Sequence, residues 1–87
     1  MSRRYRTKLK ILRDFLLAAS KERKKTRIMY AADMNPLTFK KYLSDCMEQG
    51  LIRCKNNEYF TTEKGFKTLN MCERILEKIE EIETLVK

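Results

Sequence analysis

The feature that most constrains the fold of this chain is a helix whose two ends are both marked in the sequence. Asn35 followed by Pro36 is a helix-start signal, because the Asn side chain caps free backbone amides and Pro fits the first helical position. Gly50 marks the other end, since glycine readily adopts the left-handed conformation that closes many helices. A helix is therefore predicted over residues 36–49. Its inward positions are expected to be Phe39, Leu43, Cys46 and Met47.

Weaker signals predict two helices before this one. Residues 7–20 repeat apolar side chains at three- and four-residue steps, at Leu9, Leu12, Leu16 and Ala19, which indicates a first helix. A short second helix is expected to begin at an N-cap, Thr26, and to bury Ile28, Met29 and Ala32. Residues 33–35 then form a tight turn that leads into the bounded helix.

The remaining elements follow Gly50. Residues 51–54 and 59–61 flank a polar tip with two consecutive Asn residues, which is typical of a β-hairpin. Thr62 and Glu63 are expected to open a last helix of about 25 residues. The fold class is therefore mainly α with a small β-hairpin (α+β). We expect the chain to divide functionally into residues 1–62 and residues 63–87.

The composition excludes several classes of protein. The chain has 87 residues, of which 43% are hydrophobic, so it supports one compact core. Charged residues interrupt every apolar run and no secretory signal is recognised, so we expect a cytoplasmic protein. The chain has no His and no CxxC pair, so no metal, no cofactor and no enzymatic activity are expected. The three cysteines, Cys46, Cys54 and Cys72, are predicted to be small buried hydrophobic residues.

The charge is unevenly distributed along the chain. The formal net charge is +8, with a balance of +8 in residues 1–25, +2 in residues 26–55 and −2 in residues 56–87. A basic surface attracts polyanions through counterion release, and nucleic acid is the commonest such partner. The short helix at 26–32, the turn at 33–35 and the helix at 36–49 follow the order of a helix-turn-helix, and the basic hairpin after them is typical of a wing.

Three segments resemble known winged-helix proteins. Residues 43–52 resemble the end of a recognition helix that runs into the first wing strand, and residues 60–69 resemble the pattern after the wing in many archaeal regulators. Residues 25–30, Lys-Thr-Arg-Ile-Met-Tyr, are similar to a segment of small basic winged-helix proteins of archaea and their viruses, including the ten-kilodalton chromatin-associated family. The resemblance implies a winged helix-turn-helix with a long C-terminal dimerisation helix, which in that family forms an antiparallel coiled coil between two subunits.

The candidate DNA-contacting residues come from three elements. The second helix offers two residues for phosphates near its start, the third helix offers side chains for base edges and phosphates, and the hairpin tip offers side chains for the minor groove or the backbone. The full set is Thr26, Arg27, Asn35, Thr38, Lys40, Lys41, Ser44, Lys55, Asn56 and Asn57. Tyr30 and Tyr42 are expected at the edge of the core, with their hydroxyl groups in water.

The last helix carries a pattern that is typical of a coiled coil. Steps of three and four residues join Cys72, Ile75, Ile79, Ile82 and Val86, and Leu69, Leu76 and Leu85 broaden the apolar face. We therefore expect a homodimer that uses Leu69, Cys72, Ile75, Leu76, Ile79, Ile82 and Val86. Basic residues lie early in this helix and glutamates lie late, so the two helices are predicted to run antiparallel.

The expected partner is double-stranded DNA, bound by a nucleoid-associated protein of cellular or viral origin that regulates transcription or organises chromatin. Two alternatives use the same scaffold. A protein-interaction module would dock partners on the long helix. An RNA-binding protein would need exposed aromatic residues to stack on bases, and Tyr5 is the main candidate. No small-molecule ligand and no membrane partner are expected.

Overall fold

The computed structural model describes residues 6–86; Tyr5 and the basic residues before it lie outside the described residues. The described chain forms four helices and one antiparallel two-stranded sheet. The elements are α1 (Lys8–Lys21), α2 (Lys25–Ala31), α3 (Pro36–Glu48), β1 (Ile52–Lys55), β2 (Glu58–Thr61) and α4 (Glu63–Leu85). The predicted fold class and the order of its elements are confirmed.

One hydrophobic core joins the helices and the first strand. Phe15, Leu16, Ile28 and Ile52 are fully buried at its centre. The ring of Phe15 from α1 lies against that of Phe39 from α3, with 5.7 Å between ring centroids and a tilt of 56°, a separation that is favourable for aromatic pairs. α1 also packs along α4. The first half of α4 therefore belongs to the same core as residues 8–61, because Leu69 and Cys72 are buried in it.

The turn between α2 and α3 is a helix C-cap in which Asp33 occupies the position that glycine usually takes. Asp33 has a φ of 56°, a left-handed conformation that Asp tolerates better than most residues. The amide of Asp33 donates to the carbonyl of Tyr30 (3.1 Å) and that of Met34 to the carbonyl of Met29 (3.1 Å), the two bonds of a Schellman motif. The motif turns the Met34 side chain into the core, where it is 7% exposed.

The start of α2 differs from the prediction. The helix begins at Lys25, and its N-cap is Lys24, which makes no side-chain capping hydrogen bond. Thr26 lies inside the first turn of the helix and is exposed. The predicted Thr26 N-cap is therefore wrong, because the chain turns into the helix two residues earlier.

Both predicted ends of α3 are confirmed. The Asn35 side chain accepts a hydrogen bond from the Thr38 amide (2.9 Å), and Pro36 occupies the first turn. Gly50, with a φ of 76°, closes the helix through a second Schellman motif, in which the Leu51 amide donates to the Cys46 carbonyl (2.8 Å). Met47 was expected to face inward but is 40% exposed, so this assignment is wrong. Phe39, Leu43 and Cys46 form the buried face of α3, and Met47, the residue after Cys46, lies at the edge of that face.

The hairpin of β1 and β2, residues 52–61, is closed by a two-residue turn. Asn56 and Asn57 both have positive φ values, 54° and 62°, as a type I′ turn requires. The hairpin is tied to the segment before α2: the Tyr59 amide donates to the Arg23 carbonyl (2.8 Å), and the Arg23 guanidinium lies 4.8 Å from the centre of the Phe60 ring. Cys54 in β1 is exposed, so its predicted burial is wrong.

α4 begins at the predicted residue and extends beyond the core. Thr62 is its N-cap and accepts a hydrogen bond from the Gly65 amide (3.0 Å), while its own hydroxyl donates to the Gly50 carbonyl (2.6 Å). Residues 77–86 are all exposed, because the buried residues of α4, Gly65, Leu69 and Cys72, all lie in its first half. Within residues 6–86, no helix is long and apolar enough to cross a membrane.

Candidate nucleic-acid interface

The outward face of α3 carries four of the side chains that matter for the predicted interface. The buried residues Phe39, Leu43 and Cys46 define the inner face of the helix. At 3.6 residues per turn, the opposite side is then centred on Leu37 and Ser44, with Lys40 and Lys41 on either flank. All four of these residues are exposed.

Charge along α3 is divided between its two halves. Lys40 and Lys41 lie in the first half, and Asp45 and Glu48 lie in the second. The Lys41 ammonium donates to the Asp45 carboxylate one turn later at 2.8 Å, and this hydrogen bond raises the pKa of Lys41. The positive end of the helix is therefore its N-terminal half, the part that enters the major groove in helix-turn-helix proteins.

A groove between α2 and α3 adds further positive charge to this end. Its rim carries Lys25 and Thr26 from α2 and Lys40 from α3. Its floor is apolar and consists of Met29, Pro36, Phe39 and Leu43.

Two further residues of α2, Arg27 and Tyr30, are exposed. Tyr30 was expected at the core edge but is 73% exposed, so that assignment is wrong; Tyr42 is half-buried, as expected.

Two predicted contact residues are engaged in local structure. Asn35 is exposed, but its side-chain oxygen caps α3 through the Thr38 amide, which leaves its NH₂ group as the part that can reach a ligand. Thr38 is half-buried at the edge of the outward face.

The hairpin tip is exposed to solvent. Lys55, Asn56 and Asn57 all lie at this tip, and the type I′ turn leaves their side chains in solvent. Arg53 is also exposed on β1, although it was not among the contact residues predicted from the sequence. Its place in the alternation of β1, one residue after the buried Ile52, is the signal that identifies it as outward-facing.

The Arg6 side chain binds backbone carbonyls of the turn between α2 and α3, a role that was not predicted from the sequence. Its guanidinium donates to the Asp14 carboxylate (2.8 Å) and to the Ala32 carbonyl (2.8 Å), and it also contacts the Asp33 carbonyl. These carbonyls lie at the C-terminal end of α2, where a cation is favoured by the helix dipole. Arg6 therefore fixes the turn that orients α3, although it lies 26 residues away from it in sequence.

A second exposed surface lies on α4. One side of this helix, here called the α4 stripe, carries exposed apolar residues at steps of four, four, three and four: Met71, Ile75, Ile79, Ile82 and Val86. Leu69 and Cys72 were predicted to contact a second subunit, but they are only 5% and 3% exposed within one chain. They pack in the core and are not available to a partner, which corrects this part of the prediction. Leu76 is half-buried.

Several glutamates of α4 lie next to the α4 stripe, on the side that faces α1, and Ile79 borders the same cleft. Glu73, Glu77, Glu80 and Glu83 line one wall of a cleft, and Lys10 and Arg13 of α1 line the other. Part of the negative charge of α4 is therefore compensated within the same chain.

These features together define a winged helix-turn-helix domain: a short helix, a capped turn, a second helix with an exposed basic end, and a two-stranded wing. The sequence pattern of the winged helix-turn-helix family matches residues 5–82, and the chain belongs to this family.

Solved structures and a curated relative agree with this assignment. The fold is similar to that of Sso10a-2, a DNA-binding protein from Sulfolobus solfataricus, with a TM-score of 0.80, 26% identity, and coverage of 92% of this chain and 88% of that one. It also resembles ZitR from Lactococcus lactis, with a TM-score of 0.61, 18% identity, and coverage of 99% and 65%; this likeness concerns the fold alone. An uncharacterised protein of Methanocaldococcus jannaschii is 39% identical over 82 residues, which are 93% of this chain but only 36% of the relative.

Proposed function

We propose that this protein binds double-stranded DNA as a homodimer and acts as a transcriptional regulator or a chromatin-associated factor. The observation that carries the proposal is the exposed, cationic N-terminal half of α3, which lies beside a basic groove and is followed by an exposed wing. The similarity to Sso10a-2, which is a DNA-binding protein, supports the same function.

Most of the binding free energy is expected to come from phosphate contacts. Lys40, Lys41, Arg27 and Lys55 are exposed cations, and each phosphate that they neutralise releases counterions from the duplex. Thr26, Asn35, Thr38, Ser44, Asn56 and Asn57 add hydroxyl and amide groups that can position the backbone or reach base edges. Affinity should therefore fall steeply as the salt concentration rises.

The α4 stripe supports the homodimer part of the proposal. Ile75, Ile79, Ile82 and Val86 are 46%, 41%, 62% and 78% exposed, on a helix that continues past its own core. Burying such a side chain stabilises an assembly by roughly 1.5–3 kcal/mol before the cost of association. A second copy of the same helix offers a matching apolar surface, as a two-fold symmetric interface requires.

An antiparallel arrangement of the two α4 helices fits their charges best. In a parallel pair, Glu80, Glu81 and Glu83 of one helix would lie beside the same residues of the other. An antiparallel pair would instead bring them near the early residues Lys67, Arg74 and Lys78 of the second copy. Each such surface pair contributes less than about 1 kcal/mol, so charge selects the direction while apolar burial supplies the affinity.

The proposal is tested by reversing charge on α3. Lys40→Glu together with Lys41→Glu should weaken binding to a random-sequence duplex by at least about tenfold, because both contacts become repulsive. Binding is measured by fluorescence anisotropy at two salt concentrations, and folding by circular dichroism.

The control variant changes the net charge equally on other surfaces. Lys8→Glu with Lys21→Glu alters exposed residues at the two ends of α1 and should reduce affinity much less. If the α3 variant binds DNA as tightly as the wild type does, or if binding does not change with salt, DNA binding through α3 is wrong, and the protein-interaction alternative is favoured.

A further inference from the structure

The outward face of α3 has an unusual chemical composition for a helix that reads DNA. Its exposed residues from Pro36 to Glu48 include no Arg, Asn or Gln. Asn and Gln are the side chains that make bidentate hydrogen bonds to adenine in the major groove, and Arg and Lys are those that make them to guanine. Paired hydrogen bonds from an amide side chain to adenine are therefore not available from residues 36–48, and Lys40 and Lys41 are the exposed side chains of this face that suit guanine.

Leu37 lies at the middle of that face. It is 81% exposed, on the same line of the helix as Ser44 and between Lys40 and Lys41. It follows Pro36 in the first turn, and the Asn35 cap and Pro36 fix the backbone there. A leucine at this place is directed outward from the part of the helix that approaches base edges most closely.

Resting on the proposed function, we infer that Leu37 contacts the C5 methyl groups of thymine in the major groove and gives the protein a preference for duplexes rich in A·T pairs. The thymine methyl is the apolar group that base pairs display in this groove, and apolar side chains recognise it by direct contact. Lys40 and Lys41 on its flanks bind phosphates of either strand and set the depth of the helix, while Leu37 supplies the discrimination.

The size of the effect follows from the area of one methyl group. Burying a group of this size against an apolar side chain is expected to change affinity by about fourfold for each methyl contacted. Phosphate contacts are insensitive to the base, so the salt dependence of binding should be the same with and without the methyl groups.

The test removes or adds the methyl group without changing the base pairing. Three pairs of conditions are compared by anisotropy at one salt concentration: a duplex with thymine against the same duplex with uracil, a G·C duplex with 5-methylcytosine against cytosine, and wild type against Leu37→Ala. The wild type should bind the methylated member of each duplex pair about fourfold more tightly or better. Leu37→Ala should bind both members equally.

Two control variants separate this contact from others. Leu85→Ala removes a leucine of the same 81% exposure from α4, and should leave the thymine-to-uracil ratio unchanged. Lys40→Ala should weaken binding to both duplexes by the same factor.

Three results would contradict either the inference about Leu37 or the proposed function. Equal binding of thymine and uracil duplexes by the wild type would overturn the inference while leaving DNA binding intact. A preference that persists in Leu37→Ala would also overturn it, because another residue would then read the methyl. Absence of salt-dependent binding to any duplex would overturn the proposed function itself.

Discussion

The two glycines of this chain occupy their positions for different physical reasons. Gly50 has a φ of 76°, and a Cβ at this position would meet no atom within 4 Å. Gly65 lies in the first turn of α4, where a Cβ would come within 2.2 Å of the Leu51 carbonyl oxygen and within 2.7 Å of the Thr61 side chain. The first position therefore requires backbone freedom, and the second requires space.

This difference predicts distinct effects of substitution. Gly50→Ala should lower the free energy of unfolding by about 1–2 kcal/mol, because a left-handed conformation is costly for residues with a Cβ. Gly65→Ala should cost about 3 kcal/mol or more, because the backbone of Leu51 and that of α4 must separate. Thermal unfolding measures both. Gly50→Asn is the matched control and should recover part of the loss, since Asn tolerates the left-handed region. A Gly65→Ala variant as stable as the wild type would contradict the close approach.

Burial of Cys46 links the stability of the fold to alkaline pH. Cys46 is 3% exposed, and burial, assisted by Asp45 and Cys72, raises the pKa of its thiol to about 11 from 9.0. The folded chain thus retains a proton that the unfolded chain releases earlier. The stabilisation due to this group is complete below pH 9 and is lost as the pH rises to about 11.

Urea unfolding of wild type and Cys46→Ala at pH 8, 9 and 10, in a reducing agent, tests this link. The wild type should lose stability relative to the variant as the pH rises, with a slope of at most about 1.4 kcal/mol per pH unit. Cys54→Ala is the control, because this cysteine is exposed, and its stability should follow that of the wild type. Parallel curves for wild type and Cys46→Ala would show that the thiol is not protected by burial.

At the scale of elements, a single mutation in the wing can remove a proposed DNA contact without changing the backbone conformation of the hairpin. The type I′ turn needs positive φ at Asn56 and Asn57, and Asn-Gly is the sequence that such turns prefer. Replacing the second Asn by Gly should therefore keep the hairpin while removing the side-chain amide from its tip.

Asn57→Gly is predicted to change the free energy of unfolding by no more than about 0.5 kcal/mol. If the amide contacts DNA, as proposed, affinity should fall by about two- to tenfold, the range of one hydrogen bond. Anisotropy and thermal unfolding are measured on the same samples. Asn70→Ala removes an exposed amide from α4 and should leave affinity unchanged. Unchanged binding by Asn57→Gly would remove this residue from the proposed interface.

At the scale of the whole molecule, the α4 stripe determines how many chains act together. Ile82, 62% exposed in the middle of the uncovered part of α4, is the residue most sensitive to a partner. Ile82→Lys should convert a dimer of about twice the 10.5 kDa chain mass into a monomer, because a buried ammonium in the seam has no counterion. Sedimentation equilibrium measures the mass.

Thr84→Lys is the matched control, since it adds the same charge on the opposite side of the helix and should leave the dimer intact. A wild-type mass of one chain would contradict the homodimer.

The direction of the two α4 helices is tested by disulfide cross-linking in a Cys54→Ser background. Val86→Cys alone should form no disulfide between antiparallel helices, whereas a mixture with Met71→Cys chains should form one. Efficient cross-linking of Val86→Cys to itself would show a parallel pair.

The parts of the fold that depend on neighbours in sequence were predictable. Caps and tight turns direct the backbone through residues that are at most four positions away, so they do not require the rest of the molecule. This group consists of the Asn35 cap, Pro36, Gly50, the Asn-Asn turn and the Thr62 cap. The apolar repeats predicted four helices for the same reason. The exposed lysines of α3 were identified because the helix period separates its inner face from its outer face.

Features that depend on contacts between distant elements needed the three-dimensional structure. Met34 enters the core because Asp33 adopts a conformation usually reserved for glycine, and Arg6 binds the turn across 26 residues of sequence. Leu69 and Cys72 continue the same apolar pattern as Ile75 and Ile79, and only the position of α1 along α4 separates buried residues from exposed ones. Periodicity determines which side of a helix is apolar, whereas burial at a given residue depends on which neighbour reaches that far.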